Sequence, residues 1–516
     1  MDKADAVKGT TEAVPPSASA PTSTVALDTV EMDKRLAGGI AWTAAAKWSS
    51  QLLSWACLLV VAHLLSPADF GVVGMAAVLL GQVIIFSEFG FGSAVITLRN
   101  LSVDEIAQIN TFSVISGVVG CLISCALARP LGWFFRSSQL PAVIVVMSAA
   151  FLITGFRTVS LSLLQKELRF KELSIIDTVT AVVQSLCILL LAWLRWGYWA
   201  LVVGNVVGSA VSTGLNVALR PRGFARPRLR SIGHALNFSW QVLVARLSWN
   251  LYTDADFAVA GRVLGATPLG AYSFAWNLAT LPVEKVTALV GQVTPAFFSA
   301  NQSDHAGLCR YLRTLTEALS LVTFPATIGV ALVAPEFVML ILGQRWSGVI
   351  APLEVLAFYG SIRSVTALLG PLLTALRDTR FVMWNHLIAL MVMPTAFYVG
   401  SRWGAPGIAW GWVVAYPFVA LPLYLRTFRK IGMSVPVYLG AIRPALDGSL
   451  AMVVAVGLLK WAMPAAWPLY ARFGLELTVG AAAYLIVVSV LHGERLRSFL
   501  NLYQRIRDAN SAVAAS

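Results

Sequence analysis

The sequence predicts an all-α polytopic membrane protein of about fourteen transmembrane helices, and three observations predict it. The 516 residues are 58% hydrophobic and 12% charged, with a mean hydropathy of +0.74, whereas a soluble chain carries about a quarter charged residues. The apolar runs reach the length needed to span hydrocarbon, about 18 residues, and lack strict alternation. In hydrocarbon the backbone must be satisfied within a helix or a closed barrel, and the missing alternation selects helices. Third, Lys and Arg alternate from loop to loop in a way that only an ordered series of crossings explains.

The expected spans are 37–63, 70–97, 105–128, 140–164, 173–194, 198–219, 235–261, 267–298, 310–334, 349–376, 381–400, 405–425, 437–463 and 474–491. Residues 1–35 precede them as a polar tail, with Pro15, Pro16 and Pro21 among Ser, Thr and Ala, which cannot bury a core. No cleavable signal peptide is expected, because no apolar stretch lies near the start. An even number of spans puts both termini on one side. Lys and Arg in the loops then divide 24 on that side to seven on the other, which orients both termini to the cytoplasm. The net charge of +13 reads as this topology signal rather than as nucleic-acid binding. The Arg-rich stretch 220–232 marks a linker between two lobes, 36–219 and 233–430. Two further spans (431–492) and a cytoplasmic tail (493–516) complete the chain.

The lobes show an internal repeat. LLSPADFG (64–71) and VLGATPLG (263–270) align with Gly71 on Gly270, an offset of 199 residues. The same offset carries Lys47 onto Arg246, Gln51 onto Asn250 and Ser54 onto Thr253. Halves with an even number of spans are parallel, related by an axis along the membrane normal.

Basic residues inside the spans are Lys47, Arg157, Arg246, Lys285, Arg363, Arg443 and Lys460. Arg443 and Lys460 belong to the added span thirteen and are expected to snorkel to an interface. The other five are costly at mid-membrane and should face a cavity. Lys47, Ser50, Gln51 and Ser54 form one helical stripe, as do Arg246, Asn250 and Asp254. The expected cavity groups are therefore Lys47, Gln51, Arg157, Arg246, Asn250, Lys285 and Arg363, with Glu88, Asp254 and Glu284 as the acidic members. Simple helix-to-helix pairing is the competing reading for each, and adjacent Glu284 and Lys285 cannot face the same point. Near Glu88, glycines 90 and 92 suit a bend or close packing. The 17 Trp suit interfacial anchors. Cys57, Cys121, Cys125, Cys187 and Cys309 show no metal spacing, so neither metal nor cofactor is expected. No Walker motif, HExxH or Ser-His-Asp set is present, which argues against an ATPase or hydrolase.

The motifs LSPADFGVVGM (65–75), FGFGSAVITLRNLSVDE (89–105), LQKELRFKEL (164–173), DADFAVAGRVLGATPLGAYSFAWNL (254–278) and LVGQVTPAFFSA (289–300) carry a resemblance over roughly 35–430. In order and spacing the chain resembles the polysaccharide transporter family of bacterial oligosaccharide flippases, in the superfamily that also holds multidrug and toxin extruders and lipid II flippases. The resemblance implies a fold like that of the extruders, an anionic, sugar-bearing substrate for the basic and polar cavity groups, and an alternating-access cycle coupled to H⁺ or Na⁺ for which Glu88, Asp254 and Glu284 are the candidate carboxylates. It implies flipping of an undecaprenyl-diphosphate-linked oligosaccharide across the bacterial inner membrane for exopolysaccharide, capsule or O-antigen. Polymerase and chain-length proteins are plausible partners, and nucleic acid is not. A drug or cation exporter of the same superfamily is the alternative, although its pocket should be net acidic. A membrane glycosyltransferase or ligase would need large outer loops, and the outer loops here are short.

Overall fold

The computed structural model describes residues 51, 54–88, 91–97, 101–167, 169–226, 243, 247, 249–300, 304–464 and 467–515. Within them the chain is helical throughout: α1 (Ser54–Leu64), α2 (Pro67–Glu88), α3 (Phe91–Thr97), α4 (Val103–Phe135), α5 (Leu140–Lys166), α6 (Phe170–Trp193) and α7 (Tyr198–Leu219). There follow α8 (Ala255–Val263), α9 (Ala266–Ala300), α10 (His305–Phe337), α11 (Ile350–Thr366), α12 (Leu369–Ala375), α13 (Thr379–Gly400), α14 (Gly404–Ile431), α15 (Val435–Ala462) and α16 (Leu469–Ala515). Among the described residues 10 stretches are long and apolar enough to cross a membrane, and one of them, Thr379–Ile431, contains both α13 and α14. The expected span 37–63 lies mostly outside the described residues, and of 235–261 they include 243, 247 and 249–261.

Local chemistry sets the helix starts. Ser102 and Glu105 close a capping box at α4, with Ser102 N donating to Glu105 Oε2 at 2.8 Å and Glu105 N to Ser102 Oγ at 3.2 Å. Ser66 and Asp69 make the same reciprocal pair at the start of α2. The second oxygen of Asp69 accepts from Tyr198 N at 2.9 Å, so one carboxylate ties the α1–α2 turn to the start of α7.

Helices α2 to α7 pack on one another, and so do α9 to α14; the main seam between the two groups is α2 against α9. Its closest point is where the repeat places it. A Cβ on Gly71 would collide with the carbonyl oxygen of Ala266, and one on Gly270 with that of Pro67. Residues 266 and 270 are 67 and 71 shifted by 199, so the contacts are reciprocal, as across a two-fold axis. Only glycine lets two helix backbones approach this closely. Beside this point Phe70, Phe274 and Trp346 stack with centroids 4.8–5.8 Å apart. Trp346 is fully buried and its Nε1 donates to Ala62 O at 2.8 Å. That carbonyl is free because Ser66 N, its helical donor by position, is turned to Asp69. On the same seam Arg262 lies over the Phe134 ring at 5.3 Å.

The stretch after α7 is irregular over 221–226. It is tied back to α4 and α5: Asn110 Nδ2 donates to Gly223 O, Thr111 Oγ1 to Ala225 O and Ser160 Oγ to Arg220 O. In the turn between α12 and α13, Asp378 accepts from Arg426 Nε at 2.7 Å and pairs with Lys430 at 3.1 Å. The hydrogen bond from Arg426, helped by Lys430, holds the Asp378 carboxyl below the usual range.

Gly71→Ala or Gly270→Ala should cost about 1–3 kcal/mol and pry the seam apart at this end, read as a lower Tm and new cysteine accessibility at residue 70. For Asp378, a folded-state carboxyl that titrates below its unfolded value contributes stability that is complete above about pH 4 and lost as pH falls through the folded value. The Tm advantage of the wild type over Asp378→Asn should therefore persist at neutral pH and shrink in acid.

Candidate functional site

Two cavities adjoin the seam. The first, about 380 Å³, lies within the second helical group. Residues 249–253 are helical, the chain bends at Asp254 (φ −100°, ψ 2°), and α8 then begins. The bend turns Asn250 and Asp254 into this cavity, where Glu284 of α9 and Arg363 of α11 meet them. Asp254 Oδ2 accepts from Gln82 Nε2 of α2 at 3.1 Å, a polar contact across the seam. Arg363 stands 4.0 Å from Glu284 and 5.9 Å from the centre of Trp276. That 4.0 Å approach is made by Nη1, and among the described residues this nitrogen meets no hydrogen-bond acceptor, which leaves one guanidinium donor unfilled. Trp276, Tyr359, Trp412 and Tyr416 form the aromatic wall, with Tyr359 stacked on Trp412 at 4.9 Å.

The second cavity, about 740 Å³, opens between α1, α9, α10 and α11. Most of its lining is apolar, including Trp55, Leu58, Phe274, Leu281, Val333 and Phe337. One side is polar: Lys285 Nζ donates to Gln51 Oε1 at 2.8 Å, a second contact across the seam. Glu284 lines both cavities, whereas Lys285 lines only the larger one.

The structure thus brings together Gln51, Asn250, Asp254, Glu284, Lys285 and Arg363 of the expected set. Arg157 stands apart: it donates to Ser212 Oγ at 3.0 Å, joins α5 to α7 and lines neither cavity. Lys47 and Arg246 lie outside the described residues, as does the side chain of Glu88. Lys460, two residues from the end of α15, pairs with Glu336 and Glu476.

Sequence reasoning missed Asp256. It is fully buried, with Oδ2 accepting from Tyr272 Oη at 2.7 Å and Trp412 Nε1 at 2.9 Å, and Oδ1 from Phe257 N at 2.8 Å. These bonds staple α8 to α9 and α14 just past the bend that presents Asp254. A signal was available: shifted by 199, Asp254 and Asp256 fall on Trp55 and Cys57. The acids therefore belong to one half of the repeat alone.

The chain is an all-helical, multi-pass membrane bundle with a close seam and cavities beside it, and similar folds are known. The lipid II flippase MurJ in an inward closed conformation superposes with a TM-score of 0.72 at 13% identity, covering 88% of this chain and 100% of that one. A multidrug resistance MATE family transporter in an inward-facing conformation gives 0.56 at 14% identity, over 73% of this chain and 94% of that one. The profile of the polysaccharide biosynthesis protein family matches residues 60–351, more than half of the chain, and the protein belongs to that family. Among its relatives, the lipopolysaccharide biosynthesis protein WzxC of Escherichia coli (strain K12) is 26% identical over 83% of this chain and 89% of its own length. The succinoglycan biosynthesis transport protein ExoT of Rhizobium meliloti (strain 1021) is 21% identical over 76% and 79%. The chain is thus a multi-pass member of the polysaccharide biosynthesis protein family with the fold of the solved MurJ and MATE structures.

Asp256→Ala would leave the Tyr272 hydroxyl and the Trp412 indole unpaired in the core, at about 1–3 kcal/mol for each. It should lower Tm more than Asp256→Asn, which keeps an acceptor oxygen; if alanine and asparagine melt alike, the staple is not what holds α8.

Proposed function

We propose that the protein flips an undecaprenyl-diphosphate-linked oligosaccharide from the cytoplasmic to the outer leaflet of a bacterial inner membrane by alternating access. The observation that carries this reading is the joined pair of cavities. The larger is apolar enough for a lipid chain and opens between helices, while its polar side carries Lys285. The smaller adjoins it at Glu284 and offers Arg363, a guanidinium with an unfilled donor, beside aromatic rings. A diphosphate needs cations of this kind, and sugars stack on such rings. Lys47 and Arg246, offset by 199, would add cations from both halves.

In this reading residues 36–219 and 233–430 are the moving lobes, with 220–232 between them, and both termini are cytoplasmic. Asp254, Glu284 and Glu88 are the candidates for coupling to H⁺ or Na⁺. The contact of Asp254 with Gln82 makes it sensitive to the relation of the lobes. Polymerase and chain-length proteins would take the product. Export of an organic cation would also use aromatic rings and carboxylates, but Arg363 already sets a cation against Trp276.

Deletion of the gene should abolish the surface polymer whose repeat unit the protein carries. Re-expression of Lys285→Ala or Arg363→Ala at normal protein level should restore about a tenth of it, the loss expected for one charge-assisted contact. Lys47→Ala and Arg246→Ala should behave alike. Full restoration by all four variants would remove the diphosphate reading. In proteoliposomes, Asp254→Asn should flatten the dependence of flipping on pH or on Na⁺; an unchanged dependence would take Asp254 out of coupling.

A further inference from the structure

The C-terminal pair α15–α16 falls outside the repeat and leaves much apolar surface exposed, Leu450, Leu458, Leu485 and Val490 among it. It is nonetheless joined to the second helical group. Both helices pack along α10, and at three places a polar side chain on them donates to a carbonyl of the second helical group.

Pro325 lies inside α10. Proline has no N–H, so the carbonyl of Leu321, four residues earlier, loses its helical donor. Tyr484 Oη of α16 donates to it at 2.8 Å. The helix from α11 to α12 is interrupted after Thr366, and Val365 O receives Tyr438 Oη of α15 at 3.0 Å. Near the far end of α10, which also holds Pro335, Lys460 Nζ donates to Leu332 O at 2.8 Å.

The same ammonium is the centre of a buried charge cluster. It pairs with Glu336 Oε2 of α10 at 2.8 Å and Glu476 Oε2 of α16 at 3.3 Å, and Arg472 reaches Glu336 Oε1 at 3.3 Å. Glu476 is fully buried, and its Oε1 meets no donor. Two acids and two bases thus join three helices. A buried pair of this kind is costly to break from one side only, because the partner is left uncompensated.

The other face of α10 supplies Val330, Val333 and Phe337 to the larger cavity. Val333 follows Leu332 directly, and the Phe337 ring contacts Phe473 of α16 at 6.3 Å. We propose that α15–α16 is a brace that sets the position of this cavity wall, and that Tyr484 and Lys460 are positioning residues for transport, acting through α10. That they serve transport rests on the cavity being the substrate path; that they position α10 does not.

The test uses the full chain with its native cysteines replaced and Val333→Cys added, labelled with N-ethylmaleimide in membranes, alongside Tm of the purified protein and surface polymer in cells. Tyr484→Phe removes one hydroxyl and nothing else. It should lower Tm by about 1–3 °C and raise labelling severalfold. Lys460→Met should do both more strongly, and the exchange Lys460→Glu with Glu476→Lys should recover much of the loss. Polymer should fall as labelling rises. Wild-type Tm and labelling in both single variants would overturn the brace. A lower Tm with unchanged labelling would also overturn it, since the helices would then stabilise the fold without setting the wall. Altered labelling with normal polymer would instead count against the cavity as the substrate path.

Discussion

A backbone carbonyl released inside hydrocarbon has no water to receive it, and the architecture of this protein depends on that constraint. Unbroken helices meet it by themselves. This chain does not keep its helices unbroken: α10 contains Pro325 and Pro335, α11 and α12 are separate, and the segment before α8 bends at Asp254. Each interruption must be closed from elsewhere in the fold. Tyr484 closes one, Tyr438 another, and the Trp346 indole takes the carbonyl left open at the end of α1. The interruptions lie beside the cavities, and the groups that close them come from other helices. Cavity shape and helix packing are therefore set together.

The seam between the two helical groups works on a second constraint, distance. At Gly71 and Gly270 the backbones meet with no room for a side chain. Such a contact is all or none, because it has no flexible atoms to yield. Around it the seam carries an aromatic cluster, one cation over a ring and a few hydrogen bonds, among them Gln82 to Asp254 and Lys285 to Gln51. Few bonds of moderate strength suit the release that the proposed alternating-access cycle asks of this contact. The reciprocal placement of 67 and 71 against 266 and 270 is what a parallel repeat requires. Among the described residues the charged groups around the cavities do not follow the repeat: Asp254, Asp256, Glu284, Lys285 and Arg363 all belong to its second half. The two halves keep a common scaffold while only one assembles the acid-and-base cavity.

The amino-acid sequence alone determined the class of fold, most of the helices and the repeat. The physical reason is that hydrocarbon demands long apolar segments and water demands charge between them, and both demands are written residue by residue. The glycine pair was legible too, because a repeated turn motif fixed the offset. Much of the cavity was also within reach, since an ionisable residue at mid-membrane must face something other than lipid, and Asp254, Glu284, Lys285 and Arg363 do.

What only the tertiary structure decided is which buried charges bind one another and which stay available. Lys460 and Arg363 look alike in sequence, each a cation within an apolar run. One is held by Glu336 and Glu476, and the other keeps an unfilled donor in a cavity. Arg157, expected at a cavity because a cation is costly at mid-membrane, lines neither of the two cavities and donates to Ser212, joining α5 to α7. Asp256 was passed over beside Asp254, although it anchors the bend that presents Asp254. Helical periodicity tells which residues share a face and says nothing about which helix lies opposite. Pairing is a property of the assembled bundle, and so is the joining of α15–α16 to the second half, which hydropathy alone reads as two more spans in lipid.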